Sequence, residues 1–306
     1  MNTPPSFTHT LRQRWQAADS MLCVGLDPDP ACIPAHLGTG PEAIDRFCRD
    51  IITATADTVC AFKPQIAYFA AQGAEDVLAG LIAHIHAEHP GIPVILDAKR
   101  GDIGSTARQY GVEAFDRFKA DALTLSPFMG FDSIEPYFEW AGRGLILLCR
   151  TSNPGGNDLQ ALSVLPAGDT TGTPPGAQSP RQSASDTASS AQPEKLYEHL
   201  ARLAAGPWNV SGELGLVVGA TFPDELARVR ALAPRLPLLV PGVGAQGGDV
   251  NATVRAGLDA DGYGLVINSS RAILYAGQGT DFADQARKAA VATRDAIRAA
   301  RDAARA

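Results

Sequence analysis

Short apolar runs recur along the chain, each closed by polar residues or by Gly and Pro. They are MLCVGLD (21–27), TVCAFKP (58–64), PVILDAK (93–99), DALTLSP (121–127), GLILLCR (144–150), LGLVVGA (214–220), PLLVPG (237–242) and YGLVINS (263–269). Consecutive apolar positions, rather than strict alternation, suit strands covered on both faces, as in parallel sheets flanked by helices. Helical patterns separate most of these runs. Eight strand-then-helix units predict an α/β fold, a closed (β/α)8 TIM barrel; a doubly wound sheet would give similar local patterns. Helix starts are predicted at Asp132-Ser133-Ile134-Glu135, which has capping-box spacing, and at Pro223-Asp224-Glu225, where acids meet a helix N-terminus. The Ala, Arg and Asp-rich tail, 281–306, predicts a closing amphipathic helix.

One stretch breaks this rhythm. Residues 163–193 are mostly Ser, Thr, Gly, Pro, Ala and Gln, with too little apolar surface to fold alone. They are expected to form a flexible insertion between the fifth and sixth strands, a tolerated surface segment rather than a lid, within a barrel spanning 1–306.

Composition narrows the function classes. With 306 residues and 45% hydrophobic content, the chain can bury one large core. Lys and Arg number 26 against 33 Asp and Glu, and the net charge of −7 disfavours nucleic acid or an anionic membrane as the main partner. A small anionic substrate remains open, because a few local cations decide that. Five scattered cysteines without a CxxC pair, and no apolar stretch long enough for a signal peptide or a membrane span, lead to the expectation of a cytoplasmic protein with reduced thiols.

Candidate chemistry gathers at the ends of the predicted strands. In LDAKRGDIGSTA, Asp97 and Lys99 are two apart and share a strand face at the usual mouth of a barrel, and Asp102 follows three residues later. Alone, such a pattern is equally a strand-end salt bridge. Lys63 ends the second run and Asp27 the first, so charges stand at three successive strand ends. After the seventh run, PGVGAQGGD (241–249) offers close backbone approach and the Gln246 amide; after the eighth, Ser269, Ser270 and Arg271 precede a helix. Barrel loops seven and eight are a recurrent phosphate site, and Arg supplies bidentate pairing, although glycine-rich turns also occur without ligands. Ser152 and Asn153 lie in the turn after the fifth run. His84, His86 and His89 invite a metal reading but sit on a helix-like stretch away from any strand's C-terminal end, and are expected to be exposed.

Taken together, and in this order, FKP, DAKRGDIGST, PGVGAQGG and the SSR before a helix resemble the orotidine 5'-monophosphate decarboxylases, in their longer bacterial form. The resemblance runs from about residue 21 to 275. It implies a cofactor-free, metal-free decarboxylase of a nucleotide, acting in UMP biosynthesis as a homodimer. The family's charged tetrad falls on Lys63, Asp97, Lys99 and Asp102, with Asp102 and Thr106 contributed by the neighbouring subunit. By the same resemblance Asp27 meets the ribose hydroxyls, Ser152 the pyrimidine, and Gln246 and Arg271 the phosphate. Pro241 and Ser270 complete the substrate-binding set, Ser270 standing where shorter members have glycine, and Ile103 lines the apolar part of the carboxylate pocket. Two other readings stay open: a related sugar-phosphate barrel using Mg2+, which shares the DxKxxD pattern, and a barrel that only binds phosphorylated ligands.

Overall fold

The computed structural model describes residues 6–166, 192–243 and 249–306. Eight parallel strands form one sheet: β1 (Leu22–Leu26), β2 (Ala61–Pro64), β3 (Ile95–Arg100), β4 (Ala122–Leu125), β5 (Gly144–Arg150), β6 (Leu214–Val218), β7 (Leu238–Val240) and β8 (Leu265–Ser269). Hydrogen bonding orders them β2-β1-β8-β7-β6-β5-β4-β3. Parallel bridges between Phe62 and Val94 and between Gln65 and Asp97 join the two ends, so the sheet closes into the barrel expected from sequence. Six of the strands, β5 and β3 excepted, are buried along their whole length, as runs without alternation require.

Helices cover the outside: α1 (Phe7–Ala18), α2 (Gly40–Thr55), α3 (Ile66–Ala70), α4 (Glu75–Glu88), α5 (Gly104–Gly111), α6 (Leu196–Ala205), α7 (Pro223–Leu232), α8 (Val250–Gly257), α9 (Arg271–Leu274) and α10 (Phe282–Arg305). In α2, Ala43, Ile44, Phe47, Cys48, Ile51 and Ile52 recur at helical spacing and are buried against the barrel. The closing helix α10 packs on α2 and α8, its small inward residues Ala286, Ala290 and Ala300 allowing close approach. Arg301 ties it to Asp19 at 2.5 Å. At the N-terminal end of the barrel, Glu213 accepts from the Thr8 amide at 2.9 Å and from the Ser6 hydroxyl, fixing α1 across the bottom.

Several local expectations change. The capping-box spacing at Asp132–Glu135 does not start an α-helix; two 3-10 turns, Phe131–Ser133 and Glu135–Glu139, stand there instead. The Ser133 hydroxyl donates back to the Gly130 carbonyl at 2.7 Å, tightening the first of these turns. β2 begins later than its apolar run, because residues 56–58 form a 3-10 turn closed by the Thr58 hydroxyl on the Thr55 carbonyl. The histidines are half-buried rather than exposed: His86 pairs with Asp121 at 2.9 Å, and the rings of His84 and His89 meet edge to face. The insertion follows β5 and precedes β6, as expected. Its described flanks pair in an antiparallel ribbon, Ser163 with Lys195 and Val164 with Glu194, while its middle, 167–191, lies outside the described residues.

Candidate active site

The C-terminal ends of the strands surround a cavity of about 560 Å³. Asp27 reaches it from just beyond β1, Lys63 from β2, Asp97 and Lys99 from β3, Ser152 from the turn after β5, Pro241 from beyond β7, and Ser270 and Arg271 from beyond β8. Residues scattered over more than two hundred positions of sequence therefore share one wall, which is what parallel strands of a barrel achieve. Gln246 lies outside the described residues.

The centre of the site is the Asp97 carboxylate. One oxygen accepts from Lys63 Nζ at 2.8 Å and the other from Lys99 Nζ at 2.6 Å. Lys63 Nζ is also 3.9 Å from Asp27 Oδ1. The side chains of Lys63 and Asp97 are buried, 5% and 10% exposed, whereas that of Lys99 is 45% exposed, so Lys99 is the more open of the two ammoniums. Burial by itself would raise the Asp97 pKa, but the Lys63 and Lys99 ammoniums outweigh it and hold the carboxyl well below its ordinary range. Burial would likewise lower the Lys63 pKa, but Asp97 and Asp27 reverse this and leave it above its ordinary value. The Asp97–Lys63 pair therefore stays ionised across the neutral range.

The backbone that presents these groups is irregular. Lys99 has φ +47°, in the left-handed region that side chains other than glycine rarely adopt, and the β3–β4 register shifts between Leu96 and Arg100. The Thr124 hydroxyl replaces the missing ladder contacts. It accepts from the amides of Ala98 and Lys99, each at 3.0 Å, and donates to Asp97 Oδ1 at 2.9 Å. One fully buried hydroxyl thus holds both the bulge and the carboxylate it presents. In the sequence, Thr124 is one β-branched residue inside an apolar run, and nothing local marks it.

Arg150 was equally concealed. At the end of β5 it is 1% exposed, with its guanidinium bonded to Glu225 at 2.5 Å and to Asn157 at 2.6 Å and stacked 4.2 Å from the Phe222 ring centroid. Asn157 belongs to the turn that follows Ser152 and Asn153, and Glu225 to the first turn of α7, so Arg150 fastens the Ser152 turn to the neighbouring helix. Gly219 makes room for it, since a Cβ there would lie 2.7 Å from Ser152 backbone atoms.

Three predicted residues do not join the cavity of their own chain. Asp102, Ile103 and Thr106 lie at the entry to α5, where Asp102 Oδ1 accepts from the Ile103 amide at 2.8 Å and Ile103 is 48% exposed. Phe128 and Met129, beyond the next strand, are likewise exposed apolar side chains.

Comparison with known proteins follows the same outline. The family described as orotidine 5'-phosphate decarboxylase / HUMPS matches residues 20–172. A relative from Azoarcus sp. (strain BH72), named orotidine 5'-phosphate decarboxylase, is 62% identical over 291 residues, 95% of this chain and 98% of the relative. One of the same name from Dechloromonas aromatica (strain RCB) is 60% identical over 292 residues, again 95% and 98%. Among solved structures, Leishmania donovani OMP decarboxylase is 40% identical with a TM-score of 0.77, covering 97% of this chain and 99% of that one. A putative orotidine-monophosphate decarboxylase from Toxoplasma gondii is 34% identical with a TM-score of 0.81, covering 99% and 98%.

Thr124→Val keeps the shape but removes the hydroxyl, leaving two buried amides without an acceptor. It is expected to cost about 2 to 3 kcal/mol of unfolding free energy, whereas Thr124→Ser should stay near wild type. Chemical denaturation of both variants checks this; equal stabilities would remove Thr124 from the support of the site.

Proposed function

The chain belongs to the orotidine 5'-phosphate decarboxylase / HUMPS family, and from that premise we infer that its cavity converts orotidine 5'-monophosphate to uridine 5'-monophosphate and CO2, the last step of de novo UMP synthesis. The observation that carries the reading is the buried Asp97 flanked by two ammoniums, with Lys99 the one open to the cavity.

The chemistry asks for charge placed in advance. When the C6–carboxylate bond breaks, CO2 leaves and the electron pair stays on C6, where the ring delocalises it poorly. The Lys99 ammonium stabilises that carbanion and then transfers a proton to C6, forming the new C–H bond; solvent reprotonates the amine. Because the ammonium is already fixed by Asp97, little reorganisation accompanies the reaction. Asp97, kept ionised, disfavours the bound substrate carboxylate more than the transition state in which that charge disperses. Lys63 fixes Asp97 and bridges toward Asp27, which binds the ribose hydroxyls. Ser152 meets the pyrimidine, Pro241 and Ser270 contact the nucleotide, and Arg271 with Gln246 binds the phosphate, where a bidentate guanidinium suits a dianion.

No step passes through a metal or an organic cofactor. Purified protein should therefore consume orotidine 5'-monophosphate in excess EDTA, followed as loss of the orotate absorbance. An unchanged spectrum at high enzyme concentration would overturn the reading, and abolition by EDTA would transfer it to a Mg2+-assisted sugar-phosphate reaction.

The tetrad is completed by Asp102 from a second copy, with Thr106 and Ile103 of that copy beside it. What supports this is that all three lie outside the lining of their own chain's cavity, with Ile103 exposed, while among the described residues the cavity holds the other three of the tetrad, Lys63, Asp97 and Lys99. In an isologous homodimer, Lys99 and the Asp102 serving it then belong to different chains. Lys99→Ala and Asp102→Ala should each be nearly inactive. Co-refolded at equal amounts, they form mixed dimers in about half of cases, each with one intact site, so about a quarter of all sites should recover. Mixtures that never exceed the sum of the parents, despite demonstrated subunit exchange, would return Asp102 to its own chain.

A further inference from the structure

Asn268 occupies the inner wall of β8, one of the strands least marked by charge. It is nine-tenths buried and lines the cavity. Its Nδ2 donates to the Ser270 hydroxyl at 3.2 Å, and its Oδ1 has no partner among the described residues. Just beyond β1, the strand paired with β8 through Cys23 and Asn268, the same condition recurs: Asp27 Oδ1 is buried without a hydrogen bond, 3.9 Å from Lys63 Nζ. Gly25, on β1, makes the arrangement possible. A Cβ at that position would lie 2.0 Å from Ser270 Oγ and 3.0 Å from Asn268 Oδ1, so the absent side chain is the niche into which both groups fit.

Two buried acceptors facing one cavity, neither with a hydrogen bond among the described residues and Asp27 with only the long Lys63 contact, are costly unless a ligand brings donors to them. Resting on the proposed nucleotide substrate, the choice of donor follows from its chemistry. The phosphate dianion and the carboxylate can only accept. The donors are the two ribose hydroxyls and the N3–H of the pyrimidine. The base is assigned to the Ser152 turn after β5 and the phosphate to Arg271 at the end of β8, so the sugar that connects them crosses the wall formed by β1 and β8.

We propose that Asn268 is a sugar-specificity residue: its Oδ1 accepts a hydrogen bond from a ribose hydroxyl, and with Asp27 it makes the pocket select ribonucleotides over their deoxy counterparts. Ser270 orients the amide for this task, in addition to facing the substrate itself.

The test is a mutant-by-ligand cycle on the full-length protein. Dissociation constants for uridine 5'-monophosphate and its 2'-deoxy and 3'-deoxy analogues are measured by calorimetry on wild type, Asn268→Ala and Asn268→Leu, alongside orotidine 5'-monophosphate turnover by wild type. Leu has the same branching at Cγ as Asn, in a larger side chain without a polar group, so it carries the experiment if the Ala variant does not fold. The expected result is that wild type binds at least one deoxy analogue about tenfold more weakly than the ribonucleotide, and that both variants lose about tenfold for the ribonucleotide but less than about twofold for that analogue. Equal losses for all three ligands, or unchanged binding of the ribonucleotide, would overturn the proposal while wild-type turnover left the enzyme reading intact. Wild type that neither turns over the substrate nor binds the product would instead remove the reading on which the inference rests.

Discussion

A single carboxylate held between two ammoniums organises this protein. Asp97 is too buried to remain charged alone, and Lys63 is too buried to keep its proton alone; each is ionised because the other is. Taking such a pair out of water is expensive, and a well-packed apolar pair of similar volume would commonly serve stability as well or better. The array is therefore better understood as chemistry that the fold supports than as a device for holding the fold together. Its open member, Lys99, presents to the cavity a cation whose position is already set, which is the form of electrostatic catalysis that decarboxylation without an electron sink requires.

The support reaches well beyond the charged groups. Lys99 meets Asp97 where β3 leaves regular strand geometry, and there the Thr124 hydroxyl, on the next strand, accepts from the amides of Ala98 and Lys99. Arg150 performs the corresponding task on the opposite wall, where one buried guanidinium joins the Ser152 turn to α7. Gly25 and Gly219 act by lacking a side chain, so that neighbouring groups can occupy the space. Catalytic side chains come from strand ends; their precision comes from residues one strand away.

This division explains what could be read from the sequence. The apolar runs located all eight barrel strands, because burial on both faces leaves an unmistakable composition, and the GLILLCR run coincides with β5 from end to end. Charges at strand ends could be grouped into one cavity because barrel topology places every such end at the same mouth. Register could not be read, since which residue of β4 faces the bulge of β3 depends on pairing between segments about 26 positions apart, so Thr124 stayed hidden. Arg150 ends its apolar run with no local sign of its partners, which come from 7 and 75 positions away. Asn268 lies inside the apolar run YGLVINS, and nothing local marks it as facing the cavity. The capping-box spacing at Asp132 misled because the segment closes into two short 3-10 turns, with the Ser133 hydroxyl tied back to the Gly130 carbonyl.

The central claim is that Asp97 is a carboxylate throughout the neutral range because two cations hold it so. A depressed folded-state pKa means that Asp97 keeps its charge as the pH falls through the ordinary value of 3.8, while its contribution to stability, complete above that value, is lost progressively as the pH falls from there to the lower folded value. Isotope-edited infrared spectroscopy, with the Asp97→Asn variant subtracted to isolate this one side chain, measures that state directly. The account predicts a carboxylate stretch at neutral pH that persists in the folded protein below pH 3.8. A protonated carboxyl stretch from Asp97 at neutral pH would contradict it.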